Sequence, residues 1–93
     1  MNENVVIIPT FNEKENITIT ISEISKLKTK FDIVVVDDNS PDKTGEIVKN
    51  IIESKKYNFN INLIERNDKK GLGSAYIEGF NMLYQKNILI FFN

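Results

Sequence analysis

The 93-residue sequence has no cysteine and no histidine. Without cysteine there can be no disulfide and no thiolate metal site. Without histidine, Ser-His-Asp and Cys-His catalysis fall away, as does all imidazole ligation. Any chemistry must therefore run on carboxylates, lysine or arginine, hydroxyls, or a metal held by oxygen ligands. A dominant charge is missing too: 12 basic residues stand against 13 acidic ones, for a net charge of −1. No basic field is available to hold a nucleic-acid backbone or an anionic membrane by charge alone, so nucleic acid is excluded as a partner. Long apolar runs are also absent. A membrane span needs about 20 apolar residues, and the first apolar run is only Val5 to Ile8. Met1-Asn2-Glu3-Asn4 before it lacks the positive start of a targeting peptide. The expectation is a soluble, cytoplasmic chain.

What is present reads as α/β. Hydrophobic residues make up 41% and charged residues 27%, enough for one packed core at this length and not for two. Val5-Val6-Ile7-Ile8, ended by Pro9, is the kind of β-branched run that forms a strand buried on both faces. Asn12 and Glu15 have the spacing of a capping box, which predicts a helix from Glu13 with Ile17, Ile21, Ile24 and Leu27 as its apolar stripe. Lys26, Lys28 and Lys30 would then sit near its C-terminus, where the helix dipole favours positive charge. Ile33 to Val36 repeats the first strand and runs into Asp37-Asp38-Asn39-Ser40-Pro41. Ser40 and Pro41 predict the N-cap and first position of a second helix, with Ile47, Val48, Ile51 and Ile52 on one face and an end near Lys56. A third strand is expected over Ile61–Glu65, a third helix from about Ser74 to Tyr84, and a fourth strand over Ile88–Phe92. The order βαβαβαβ implies right-handed crossovers and a parallel sheet covered on both faces. With an apolar last strand and one residue after it, the chain reads as the first half of something larger. Alone, it is expected to be poorly soluble or to self-associate through that strand.

Ligands of open parallel sheets bind outside the carboxyl ends of the strands. Three polar segments fall at that edge: Pro9 to Glu13, Asp37 to Asp42, and Arg66 to Gly73. The Asp37-Asp38 pair reads either as a solvated turn capping the next helix, or as a carboxylate that accepts hydrogen bonds from a base or ribose. Neighbours in sequence point different ways, so one is expected to bind and the other to cap. Glu13 reads either as a first-turn acid matched to the helix dipole or as a second base- or ribose-reading carboxylate. Lys69-Lys70-Gly71-Leu72-Gly73-Ser74 precedes a helix N-terminus, which suits either a phosphate or a plain helix start. Arg66 is open between a pyrophosphate contact and an ordinary surface arginine.

Taken together, Val5–Ile17 with its Pro9-Thr10-Phe11-Asn12-Glu13 opening, the Asp37-Asp38-Asn39-Ser40-Pro41-Asp42 turn and Gly71-Leu72-Gly73-Ser74-Ala75-Tyr76 resemble the family 2 glycosyltransferases. Within that family the sequence is most similar to the dolichol-phosphate (polyprenol monophosphate) mannose synthases. The resemblance implies that residues 1–93 are the N-terminal part of a single GT-A domain, its nucleotide-binding, Rossmann-like half. It implies inverting transfer of mannose from GDP-mannose to a polyprenyl phosphate, at the membrane surface in the full-length family. By the same resemblance Pro9, Phe11, Glu13, Val36 and Asp38 contact the nucleotide sugar. Phe11 departs from the family's usual tyrosine, which keeps stacking and loses a phenolic hydrogen bond. The family uses Mg²⁺ or Mn²⁺ held by an Asp-x-Asp motif after the fourth strand. Here that position reads Phe91-Phe92-Asn93, so those metal ligands are absent from this chain and no catalytic residue is assigned.

Three other readings are weaker on residues. The first is a truncated, non-catalytic fragment that binds nucleotide weakly or not at all. A response-regulator receiver also has an acidic pair after a strand, but needs an acceptor aspartate at the end of a later strand, where this sequence has Glu65 or Asn93. A dinucleotide dehydrogenase needs a G-x-G-x-x-G turn after the first strand, where Pro9-Thr10-Phe11-Asn12 stands.

Overall fold

Two β-branched runs form the centre of the molecule. The computed structural model describes residues 2–66 and the strand 87–90. Its elements are β1 (Asn4–Thr10), α1 (Ile17–Ser25), β2 (Phe31–Asp37), α2 (Thr44–Ser54), β3 (Ile61–Glu65) and β4 (Asn87–Ile90). The four strands make one parallel sheet in the order β3-β2-β1-β4. The first two crossovers step outward from β1 to β3, and β4 then pairs on the other side of β1. That reversal is the switch point at which open α/β sheets bind ligands, beyond the strands' carboxyl ends.

Period-two alternation explains how β1 and β2 bury both faces. Val6, Ile8, Ile33 and Val35 face one way and pack with Ile17, Ile21 and Ile24 of α1 and Val48 of α2. Val5, Ile7, Val34 and Val36 face the other way in a second buried cluster, with Ile64 of β3 against it. At the amino end of β2, the buried carboxylate of Asp32 accepts hydrogen bonds from Asn2 N, Asn2 Nδ2 and Asn60 N. It thereby ties the chain's start and the approach to β3 to the sheet, at the edge away from the ligand side.

Several expected boundaries move. Strand β1 continues through Pro9 to Thr10; proline's missing N–H is tolerated there because the described pairing with β4 runs only from Asn4 to Ile7. Helix α1 starts at Ile17 instead of Glu13, and its N-cap position, Asn16, makes no side-chain cap bond. Asn12 cannot cap it, because residues 13–16 form a turn in which the Glu13 carbonyl accepts from Asn16 N and Ile17 N. The helix also stops at Ser25. Leu27 is therefore 48% exposed and off the buried stripe, and Lys26, Lys28 and Lys30 lie past the last turn. Ser40-Pro41 does not begin α2 either; the helix begins at Thr44, and its side chains Ile47, Ile51 and Ile52 pack half-buried around Val48. It ends at Ser54, with Lys55 closing it in the left-handed conformation. The described part of the fourth strand is Asn87–Ile90. The expected third helix and Phe91–Asn93 lie outside the described residues. Among the described residues no helix is long and apolar enough to cross a membrane.

Candidate functional site

Strands β1 and β2 end level with each other. Their register pairs Pro9 with Val36 and Thr10 with Asp37, and Asp38 N donates to Thr10 O at 3.0 Å just beyond. On the other flank Arg66 N donates to Asp37 O at 2.8 Å. All five residues anticipated from sequence thus sit on two adjacent strand ends, in different settings. Pro9 and Glu13 are half-buried, and Phe11 presents an exposed ring. The Val36 side chain is buried in the second apolar cluster, so only its main chain faces the edge. The Asp38 carboxylate is held by the Arg66 guanidinium, Oδ1 to Nε at 2.7 Å, both side chains being 14% exposed. Arg66 is therefore not a plain surface arginine. It shapes what Asp38 presents.

The two acids take different settings, and Asp37 does not cap α2, whose N-cap position is Lys43 with no side-chain cap bond. Asp37 is 2% exposed. Its Oδ1 accepts from Thr10 Oγ1 and from Ser40 Oγ, each at 2.6 Å, and its Oδ2 accepts from Ser40 N at 3.0 Å. Ser40 Oγ in turn accepts from Asn12 N at 2.9 Å. Next along, Glu13 N donates to Thr44 Oγ1 and Lys14 N to Asp42 Oδ2, each at 3.0 Å. Asp42 Oδ1 closes the set by accepting from Thr44 N and Thr44 Oγ1. Three consecutive amides of the β1–α1 loop are thus satisfied by two side chains of the β2–α2 loop, Ser40 and Asp42, and by Thr44 at the start of α2. The same two loops hold Asn12, Asn39 and Lys43 in the left-handed region, at φ of 54°, 52° and 69°. Such conformations cost energy for residues with a side chain and persist where surrounding contacts impose them.

The Asp42 carboxyl reflects this web. Partial desolvation works to raise its pKa, but the Thr44 hydroxyl, the Lys14 and Thr44 amides and the Lys14 charge together hold it below the ordinary carboxylate value. Beside the site Lys49 bridges Glu65 at 3.1 Å and Glu46 at 3.7 Å. These carboxylates, Glu65 first, hold the ammonium's pKa above its usual value.

The hydrogen bonds limit the chemistry. Asp37 has both oxygens committed to hydroxyl and amide donors, and Asp38 is paired with a guanidinium, so the pair does not fit a divalent cation. No group of three or more acidic residues that could hold a metal occurs among the described residues. The amides of residues 12–14 point into the second loop and so cannot cradle a phosphate, as the first loop of a dinucleotide-binding fold does. Left at the edge are the exposed Phe11 ring, the largely buried, guanidinium-paired Asp38 carboxylate and the half-buried Glu13, whose Oε2 takes a bond from Asn16 Nδ2 at 3.3 Å. That set suits a flat ring bearing N–H donors and neighbouring hydroxyls. The glycine-bearing segment from Lys69 to Ser74 falls outside the described residues.

Thr10, Ser40 and Asp42 lie in the polar segments expected at the ligand edge but were given no part in the site there, and Thr44 lies beyond those segments. Ser40 and Asp42 belong to a recognisable turn, but the partnership of Thr10 with Asp37 and of Thr44 with Glu13 follows only from which strands lie side by side.

Comparison with known proteins agrees with this architecture. The glycosyl transferase family 2 model matches residues 5–93. A polyprenol monophosphomannose synthase of Mycolicibacterium smegmatis is 37% identical over 82% of this chain and 28% of its own length. A dolichol-phosphate mannosyltransferase of Pyrococcus furiosus is 46% identical over 81% of this chain and 21% of its own. The fold is similar to that of a mannosyltransferase from Pyrobaculum calidifontis solved with GDP-Man and Mn²⁺, with a TM-score of 0.71 at 24% identity, over 88% of this chain and 24% of that one. The chain thus spans less than a third of the length of each of these proteins.

Proposed function

Because the chain belongs to glycosyl transferase family 2, we propose that its strand-end site binds the GDP part of GDP-mannose for a polyprenyl-phosphate mannosyltransferase. The observation that carries this reading is the placement of Asp38 and the exposed Phe11 ring at the ends of two adjacent strands. Guanine offers an N1–H and an exocyclic amine on one edge and a flat face. A carboxylate accepts from the edge, and the Phe11 ring stacks on the face. The half-buried Glu13 lies where ribose hydroxyls would donate, and Pro9 and Val36 supply the main-chain wall between them. Arg66 holds Asp38 by one oxygen, which fixes the direction of the carboxylate.

In the reaction, an oxygen of the lipid phosphate forms a bond to the anomeric carbon of mannose. The bond from that carbon to GDP breaks, and GDP leaves with the electron pair, inverting the configuration. The Mn²⁺ of the Pyrobaculum calidifontis structure agrees with a need for Mg²⁺ or Mn²⁺ to offset charge on a leaving diphosphate. The described acidic residues do not fit that ion, so holding it, and holding the polyprenyl phosphate, falls to other residues. A lipid acceptor also implies work at a membrane surface.

Isothermal titration of GDP and GDP-mannose into the 93-residue protein tests this reading. Saturable binding is expected, with little gain on adding Mg²⁺. Asp38→Ala should weaken it by about tenfold or more, as expected when a charged hydrogen-bond acceptor is lost. A folded protein that binds neither ligand overturns it.

A further inference from the structure

The three amides that the β1–α1 loop surrenders are its most unusual feature. Donors from Asn12, Glu13 and Lys14 all end on side-chain oxygens 28 to 31 residues away, on Ser40, Thr44 and Asp42. A loop of this length would ordinarily satisfy such amides with water or with its own turns. Ser40 is the pivot. Its hydroxyl donates to the buried Asp37 carboxylate while accepting from Asn12 N, and Asp37 also takes the hydroxyl of Thr10. A continuous line of hydrogen bonds therefore runs from the loop carrying Phe11 and Glu13, through Ser40 and Asp37, to the strand end that carries Asp38. Along that line Asn12 and Asn39, neighbours of Phe11, Glu13 and Asp38, are held in the left-handed conformation.

We propose that Ser40, with the Asp37 carboxylate behind it, is a positioning residue that locks the two loops into one nucleotide-receiving unit. The proposal rests on the nucleotide reading above. Its physical content is pre-organisation: Phe11 and Glu13 are already set relative to Asp38 before the ligand arrives, so binding does not have to order two loops. Ser40 itself need not touch the nucleotide. Removing its hydroxyl cuts the Asn12 link and one of the two hydroxyl bonds to Asp37, while the Thr44 and Asp42 links and both apolar clusters remain.

The test compares the parent protein with Ser40→Ala and Ser40→Thr, in two measurements. The first is residue-resolved amide exchange without nucleotide. In Ser40→Ala the Asn12 amide should exchange at least about tenfold faster, in keeping with loss of its Ser40 Oγ acceptor, while the β1 and β2 amides stay protected. The second is GDP titration. Ser40→Ala should bind about tenfold more weakly, and Ser40→Thr, which keeps the hydroxyl, should stay within about twofold of the parent. Rescue by threonine separates positioning from a general loss of fold, which the protected strand amides also monitor. Unchanged Asn12 exchange in Ser40→Ala overturns the lock, and parent-like GDP affinity in Ser40→Ala overturns its role in binding while leaving the nucleotide reading standing. If the parent itself binds no GDP, the nucleotide reading falls and the positioning role falls with it.

Discussion

Asp42 shows how a half-exposed side chain can be bound into a site by its neighbours' amides. Its carboxyl lies below the ordinary value: partial desolvation pulls upward, and bonds from Thr44 and from the Lys14 amide outweigh it. A depressed folded pKa gives stability that is present above the unfolded pKa and is lost as pH falls through the folded one. Asp42→Asn should therefore melt below the parent at neutral pH, and the gap should begin to narrow at about pH 4 and close only as pH falls through the lowered folded value, below which both side chains are neutral. Thermal unfolding of the two proteins across that range checks it; a gap that stays constant into acid would show that Asp42 acts through something other than its charge. Asp37 belongs to the same scale. The adjacent acids at 37 and 38 look equivalent in sequence, yet one is a buried centre of hydroxyl and amide bonds and the other is paired with an arginine.

Helix α1 displays the element scale most cleanly. Its stripe of Ile17, Ile21 and Ile24 was readable from spacing alone, and all three are buried. Ile19 lies between them on the outer face and is 59% exposed. Ile21→Ala should thus cost roughly 2–5 kcal/mol, from lost burial and the cavity left behind. Ile19→Ala should stay within about 0.5 kcal/mol of the parent. Urea unfolding of both variants decides the matter, and similar losses for the two would refute the observed facing. The starts of α1 and α2 fall later than the local signals predict. After Asn12 the chain makes a turn over residues 13–16, and the Ser40 hydroxyl is drawn to Asp37 and the Asn12 amide, so each helix begins three or four residues later. Tertiary partners outbid the local caps.

At the scale of the whole molecule, strand order governs stability. In the order β3-β2-β1-β4, β1 and β2 are paired on both sides among the described strands, and β3 on one. Every residue of β2 from Asp32 to Asp37 is buried, whereas in β3 every residue is half-buried or exposed. Amide exchange should therefore be slowest in β1 and β2 and distinctly faster in β3, since protection follows burial and pairing. Exchange in β3 as slow as in β2 would contradict this order. The same arrangement places the site: β1 and β2, with their buried cores, end under the two interlocked loops, so the site stands on the most buried part of the described sheet.

The sequence by itself determined the alternation of strands and helices, the parallel sheet, the two-sided burial of Val5–Ile8 and Ile33–Val36, and the family motifs at the strand ends. These are legible because periodicity, β-branching and motif spacing act over a few residues. Only the tertiary structure decided which polar residues meet. The pairing of β1 with β2 sets Thr10 beside Asp37, and the close of β3 brings Arg66 to Asp38. It also turns the amides of residues 12–14 toward Ser40, Thr44 and Asp42 instead of toward a ligand. Such partnerships span about 30 residues of chain. They come from register and loop packing, which no local pattern of side chains encodes.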